Sequence, residues 1–289
     1  MIYNGHTRTC GLIGNPVEHT YSPLMHNYLA EETNTNMVYV PFRVDNNKVE
    51  DAVKGAFVLN LLGCNVTVPH KSAVIPYLVD IDPLAKRIGA VNTLVRQENG
   101  FKGYNTDMPG LYRAMCKDGV DPKGQDCLIL GAGGVARAVA VMLADKGAKS
   151  IYILNRTYEK AAEIAAEINE MTGKELATAM LISEYEKLPE EKKYVAIQAT
   201  TVGMHPDVNN AVIAQDDFYK KLLVAYDLIY RPGETLFMKL ARQNGVKACN
   251  GVGMLVYQGI ISFELWNNIH VTDEEAEILC KLITEALGE

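Results

Sequence analysis

Residues Cys127 to Thr157 constrain the chain more than any other stretch. The short apolar run Cys127-Leu128-Ile129-Leu130 meets Gly131-Ala132-Gly133-Gly134. It continues through Val135 and Ala136 into an apolar helical run and returns to a second apolar run at Ile151–Leu154. Strand, turn, helix and strand in that order make a βαβ unit. Gly131, Gly133 and Ala136 occupy the small positions of a G-x-G-x-x-G/A fingerprint. The first permits a tight turn, the second lets backbone approach a pyrophosphate, and the third lets helix pack closely on strand. The helix start then offers free N–H groups and a positive dipole end to phosphates. A glycine fingerprint alone is weak, since a glycine-rich turn also occurs without a nucleotide. Here the strand before, the helix after and the second strand at the right distance supply the context that gives it weight.

The end of the second strand selects the cofactor. An NAD site usually places Asp or Glu there for the ribose 2′-hydroxyl, whereas Arg accommodates a 2′-phosphate. This chain has Asn155, Arg156 and Thr157, with Lys160 one turn on, and no carboxylate. Arg156 can stack and make bidentate contacts. Thr157 can cap the next helix and still offer its hydroxyl. The ordinary alternative for Arg156 and Lys160 is a solvated helix start. The pattern favours NADP over NAD.

Composition bounds the rest. At 289 residues, two domains are the natural expectation. The net charge of −7 and the lack of a basic block argue against a nucleic-acid partner. No apolar run approaches the roughly 18 residues that a membrane helix needs, and the start, Met1 to Arg8, has no signal-peptide core. The six cysteines are scattered without a C-x-x-C pair, as expected for thiols of a cytoplasmic protein. The histidines form no H-E-x-x-H pattern, so no metal is expected. A small molecule is the expected partner, and a homodimer is the macromolecular association kept open.

The pattern along the chain predicts a strand over 9–14 and then a helix from Ser22-Pro23, with Ser22 as N-cap. A strand over 37–44, a helix over 48–62, a strand over 64–68 and a helix over 71–78 follow. A hairpin spans 91–104 around Asn99-Gly100. Asn105-Thr106-Asp107 leads into a helix ending at Gly119, where the chain is expected to cross into a second domain. Strands at 151–154, 195–199, 223–228 and 246–249 then alternate with helices, which predicts a doubly wound sheet. A buried apolar helix over 254–266 comes next, and a capping box at Thr272–Glu275 opens the last helix. The expected class is α/β: a Rossmann-type doubly wound nucleotide domain over 108–250 and a discontinuous α/β substrate domain over 1–107 and 251–289.

The candidate chemistry lies at strand ends of the first domain. Asn65 and Thr67 alternate on one side of their strand, and Lys71 lies just past it. Asn92 sits inside an apolar run, and a buried Asn needs partners. Asp107 stands at a helix start, where a carboxylate is often only a cap.

The ordered set Asn15-Pro16, Ser22-Pro23, His26-Asn27, Asn65-Val-Thr-x-Pro-x-Lys71, Gly89-Ala-Val-Asn92-Thr, Asn105-Thr-Asp107, Gly131-Ala-Gly-Gly, Asn155-Arg-Thr157, Gly203-Met204, Asp227-x-x-Tyr230-x-Pro232 and Gly253-Met-Leu-x-x-Gln258 resembles the shikimate dehydrogenase family. It spans nearly the whole chain in the family's order and spacing. The resemblance implies NADP-dependent interconversion of 3-dehydroshikimate and shikimate in aromatic amino-acid biosynthesis. It implies Lys71 as catalytic acid/base with Asp107 as partner. Asn65, Asn92 and Gln258 would bond ring hydroxyls, with Thr67 and Tyr230 lining the site and Thr20 and Ser22 holding the carboxylate. It implies Gly131 to Ala136, Asn155, Arg156, Thr157, Lys160, Thr200, Gly203, Met204, Gly251 and Met254 as the cofactor set. The chemistry agrees: amides and a carboxylate left unpaired by a wrong isomer discriminate a triol, and Lys can donate a proton to a forming alkoxide where Arg cannot. His26 and His70 are expected to be structural, and Tyr230 is as readily a packing aromatic.

The family usually shows Ser-x-Ser in the carboxylate loop, where this chain has Thr20-Tyr21-Ser22. The extra methyl bears on substrate discrimination. The nearest alternative is a quinate/shikimate dehydrogenase of broader substrate or NAD use. A ligand-sensing regulator is a second alternative, though it would be expected to lose Lys71, Asp107 or the glycine loop.

Overall fold

The computed structural model of the chain describes residues 3–288, so Met1, Ile2 and Glu289, which belong to the expected leaderless start and final segment, lie outside the described residues. Two compact units emerge: Met1–Leu111 with Val256–Glu285, and Tyr112–Leu255 with Ala286–Glu289.

The first unit holds β1 (Arg8–Gly14), α1 (Ser22–Glu32), β2 (Met37–Arg43), α2 (Val49–Val58), β3 (Gly63–Val66), β4 (Asp80–Ile81), α3 (Pro83–Ile88), β5 (Thr93–Gln97) and β6 (Gly100–Tyr104). Its sheet has the order β2-β1-β3-β5-β6-β4. β1 runs parallel to β2 and β3, and β5 and β6 form the expected antiparallel hairpin with Gln97 opposite Gly100. β3 is buried along its whole length. β2 is an edge strand, and the Asn27 side chain satisfies its open backbone: Asn27 Nδ2 donates to Tyr39 O at 3.0 Å and Tyr39 N donates to Asn27 Oδ1 at 2.8 Å.

α4 (Asp107–Lys117) leads into the second unit. There follow β7 (Asp126–Leu130), α5 (Gly134–Asp145), β8 (Ser150–Asn155), α6 (Tyr158–Thr172), β9 (Ala177–Leu181), β10 (Tyr194–Gln198), α7 (Asp216–Tyr219), β11 (Leu222–Asp227), α8 (Leu236–Gln243) and β12 (Lys247–Cys249). α9 (Val252–Asn267) and α10 (Asp273–Ala286) complete the chain. The second sheet is all parallel in the order β12-β11-β10-β7-β8-β9. The doubly wound order reverses between β7 and β10, where such folds bind ligands beyond the carboxyl ends of the strands. Strands buried on both faces read as continuous apolar runs, and β7 and β10 are buried throughout.

Three local expectations change. Residues 71–78 form turns and a short 3₁₀ segment at Ile75–Tyr77 instead of a helix. Pro76 has no N–H to offer a helical ladder and its ring crowds the preceding turn. Ser22 is the first helical residue, not the N-cap; Tyr21 holds the cap position and Ser22 N donates to Thr20 Oγ1 at 3.1 Å. β4 and β9 are strands that the sequence pattern does not announce. The capping box at the last helix is present, with Thr272 N donating to Glu275 Oε2 at 2.7 Å and Glu275 N to Thr272 Oγ1 at 3.3 Å.

Candidate active site

Lys71 lies in the turn after β3, and its carbonyl accepts Val91 N at 2.8 Å, which pins the backbone. Its Nζ donates to Asp107 Oδ2 at 2.6 Å. Asp107 opens α4, yet its carboxylate does not act as the cap. The other oxygen, Oδ1, accepts Asn92 Nδ2 at 2.8 Å, and Asn105 supplies the capping oxygen, receiving Met108 N at 3.3 Å. The Lys71 and Asp107 side chains are 31% and 18% exposed, so the pair is reachable from solvent while most of its hydration is removed.

Asn92 is buried and both ends of its amide are occupied. Nδ2 also donates to Thr106 Oγ1 at 3.0 Å, and Oδ1 accepts Thr106 N at 2.8 Å and Thr93 Oγ1 at 3.0 Å. Asn92 therefore aims Asp107 from behind. Asn65 is buried too. Its Oδ1 faces Tyr39 Oη at 2.9 Å and His26 Nε2 at 3.1 Å. Its Nδ2 reaches Asn92 O at 3.2 Å, Thr93 Oγ1 at 3.1 Å and Ser262 Oγ at 3.0 Å. An amide has two hydrogens to donate, so Asn65 has none left over for a ring hydroxyl. The sequence places it among the substrate contacts; here its amide ties Tyr39 and His26 to Thr93 and Ser262.

Between the two amides lie three hydroxyls. Ser262 Oγ is 2.8 Å from Thr93 Oγ1 and 3.1 Å from Thr106 Oγ1, and those two are 3.2 Å apart. All three residues are buried. Sequence reading missed Thr93, Ser262 and Tyr39. The available signal was Ser262 as a polar side chain inside an apolar helical run, one turn after Gln258, whose carbonyl accepts Ser262 Oγ at 2.9 Å. His26 and His70 are structural, as expected. His70 Nε2 lies 2.7 Å from Val44 O. Burial pushes His26 down to about 3, against the opposing hydrogen bond to Asn65.

Thr20 and Ser22 are linked by Thr20 Oγ1 donating to Ser22 Oγ at 3.1 Å. Thr67 follows β3, and its N donates to Ile13 O at 2.9 Å. A Cβ on Gly14 would collide with Thr67 Cγ2. Gln258 sits on α9 where Gly110 of α4 allows close approach; a Cβ there would lie 2.5 Å from Gln258 N.

In the second unit the glycine loop has the form a dinucleotide needs. Gly131 adopts φ +111°, and a Cβ would lie 2.7 Å from Thr200 Cγ2. Gly133 is the N-cap of α5 with no side-chain cap bond, and Gly133, Gly134 and Val135 are exposed. The helix N-terminus is thus open to an anion, and nothing lies within 4 Å of a Cβ on Gly133 or Gly134. Ala132 is half-buried and Ala136 is buried against the sheet. At the end of β8, Asn155 Nδ2 donates to Thr157 O at 2.9 Å, and the Thr157 hydroxyl makes no cap bond. Arg156, Thr157 and Lys160 are exposed, and among the described residues Arg156 and Lys160 have no carboxylate partner. Arg137, by contrast, is taken by Glu167 through a 2.7 Å bond from Nε and a second contact from Nη2. A cavity of about 350 Å³ adjoins Arg156, lined by Leu181, Ile182, Tyr185 and Ile213 among others. Thr200, Gly203 and Met204 follow β10, Tyr230 follows β11, and Gly251 and Met254 lie at the start of α9. Met204 and Tyr230 are 42% and 37% exposed. The open N-terminus of α5 suits a pyrophosphate, and the exposed Arg156 at the end of β8 suits a 2′-phosphate.

Family models match three stretches: the shikimate dehydrogenase substrate binding domain over 12–94, shikimate/quinate 5-dehydrogenase over 115–215, and the shikimate 5′-dehydrogenase C-terminal domain over 251–271. A shikimate dehydrogenase (NADP(+)) of Desulforamulus reducens is 43% identical over 267 residues, 91% of each chain. The chain belongs to the shikimate dehydrogenase family. A family member solved in complex with NADP+ is 35% identical with a TM-score of 0.88, covering 100% of this chain and 98% of that one. Another, from Listeria monocytogenes in complex with shikimate and NAD, is 32% identical with a TM-score of 0.90, covering 97% and 98%. Among the described residues no helix is long and apolar enough to cross a membrane, and no group of three or more His, Cys, Asp or Glu is placed to hold a metal.

Proposed function

We infer that the chain reversibly reduces the ketone of 3-dehydroshikimate to shikimate with NADP, using Lys71 and Asp107 as its acid/base pair. The observation that carries this reading is the Lys71–Asp107–Asn92 chain, with contacts of 2.6 and 2.8 Å at the ends of the interior strands β3, β5 and β6. NADPH supplies the hydride that the ketone carbon receives. Lys71 donates a proton to the ketone oxygen as negative charge develops on it, and takes the proton back from the hydroxyl in the reverse direction. Asp107 orients the ammonium, while Asn92 fixes the carboxylate from the other side. Thr20 and Ser22 hold the substrate carboxylate, Thr67 and Gln258 line the ring, and Arg156, Thr157 and Lys160 hold the 2′-phosphate. The substrate belongs to the first unit and the cofactor to the second. Among the described residues no cysteine is in a disulfide, and burial raises Cys10, Cys64, Cys127 and Cys249. Four buried, protonated thiols suit a reducing cytoplasm.

The test follows NADPH absorbance with shikimate and NADP. Lys71→Met should lower turnover by roughly 10²–10⁴ and leave NADP binding nearly unchanged. Turnover within a few-fold of the parent would remove Lys71 from this role. Tight shikimate binding by the parent without turnover would instead favour a sensor.

A further inference from the structure

Asp227, the last residue of β11, has a carboxylate that no catalytic step above uses. It is fully buried, and among the described residues no cation pairs with it. Its three partners are neutral. Thr235 Oγ1 donates to Oδ2 at 2.6 Å, Ile229 N donates to Oδ1 at 2.9 Å, and Gln198 Nε2 donates to Oδ1 at 3.3 Å. Each partner belongs to a different piece of backbone. Gln198, at the end of β10, also donates to Val202 O at 3.1 Å and accepts Thr200 N at 2.5 Å, so it shapes the loop that carries Thr200, Gly203 and Met204. Ile229 begins the loop that carries Tyr230, and its carbonyl accepts Gly251 N at 2.9 Å. Thr235 is the N-cap of α8 and closes that same loop. The backbone of Gly203 approaches Thr235 closely enough that a Cβ would lie 3.4 Å from Thr235 Cβ.

We propose that Asp227 is a positioning residue that locks the loops after β10 and β11, and through them the ligand-lining residues those loops carry. The proposal rests on the reading of Thr200, Gly203, Met204 and Tyr230 as ligand-lining residues. Burial is the main cause that pushes the Asp227 carboxyl up to about 6, with Thr235, Ile229 and Gln198 pulling the other way. Tyr219 of α7 is the titratable side chain that feels its charge, and burial holds that phenol neutral. Protonation of Asp227 converts Oδ2 from an acceptor into a donor, so the Thr235 hydroxyl must turn its own hydrogen elsewhere. The lock should therefore loosen as pH falls through about 6.

The experiment uses the full chain, reading kcat/KM for shikimate at saturating NADP between pH 5 and 8. The parent should show an acid limb near 6. Asp227→Asn keeps the volume and the acceptor for Ile229 N but replaces the charge with an N–H₂ facing Thr235. It should raise KM for NADP and shikimate roughly ten- to a hundredfold, the worth of hydrogen bonds to a charged group, and abolish the limb. Thr235→Val leaves the carboxylate without its shortest donor and should move the limb to higher pH, while Thr235→Ser should restore it. A folded Asp227→Asn enzyme with parental KM values and an unmoved limb overturns the proposal. If Asp227→Asn does not fold, an unmoved limb in Thr235→Val overturns it. Failure of the broader reading looks different, because the parent would then show no shikimate turnover at any pH.

Discussion

Thr20 carries one methyl more than the serine usual in its family, and that methyl is fixed. Thr is stiff at χ1, and Oγ1 is committed twice to Ser22, accepting from its N–H and donating to its hydroxyl, both at 3.1 Å. Quinate has a tetrahedral carbon and a hydroxyl where shikimate has a double bond, so it needs more room beside its carboxylate. A methyl in a pocket is worth about 1–3 kcal/mol of discrimination. We expect Thr20→Ser to narrow the preference for shikimate, measured as the ratio of kcat/KM for the two substrates; an unchanged ratio would mean the methyl is no gate. Arg156 offers a second test. Without a carboxylate partner, its guanidinium is available to a phosphate at about 1.5–3 kcal/mol. Arg156→Ala should weaken NADP roughly ten- to a hundredfold and NAD little in a binding titration. Equal weakening of both would show that it does not read the phosphate. At this scale the sequence is a good guide to which residues matter and a poorer guide to how. Asn65 and Asn92 look alike as buried amides near a strand end, and only the positions of Tyr39 and Ser262 beside Asn65, and of Thr106 and Asp107 beside Asn92, reveal that both amides are engaged by protein.

Helices α4 and α9 meet at Gly110. Gly→Ala inside a helix ordinarily stabilises by about 1 kcal/mol. Here the added methyl would press on Gln258 backbone, which cannot rotate away, and overpacking of this kind costs about 1–3 kcal/mol. The second effect should win. Gly110→Ala should lower the melting temperature by several degrees and raise KM for shikimate, since Gln258 moves with its backbone; a higher melting temperature with unchanged KM would show the approach is looser than described. The parallel strands β7, β8, β10 and β11 were legible because burial on both faces leaves an uninterrupted apolar run between turn residues. β9 was not, because Ala177–Leu181 lies at the sheet edge with one fully buried residue and no alternation. The expected helix over 71–78 failed for a local reason, Pro76, that apolar spacing alone does not weigh.

The two units should answer acid in opposite ways. His26, stacked 4.3 Å from Tyr39 in the first unit, is neutral when folded and pushed from 6.5 down to about 3. Between those values the unfolded chain binds a proton that the folded unit refuses, so stability falls as pH falls, by up to roughly 1.4 kcal/mol per pH unit. Asp227 in the second unit is raised from 3.8 to about 6, so between those values the folded unit holds the proton and its stability rises as pH falls. Carboxylates held low, such as Asp126, weaken the fold only below the ordinary value of 3.8. From pH 6.5 toward 4 the first unit should therefore open before the second, as read by hydrogen exchange, and His26→Phe should delay that opening. Earlier opening of the second unit would contradict this. The discontinuity of the first unit also bears on synthesis. Residues 112–255, which make up all of the second unit but its last four residues, leave the ribosome while the first unit still lacks its last helices. Lys71 and Asp107 emerge early, but Ser262 beneath them and Trp266, whose Nε1 donates to Leu94 O at 2.9 Å, are translated near the end. The glycine loop and its sheet are thus translated before the helices that close the first unit, so a chain stalled past 255 should bind cofactor before it gains any chemistry.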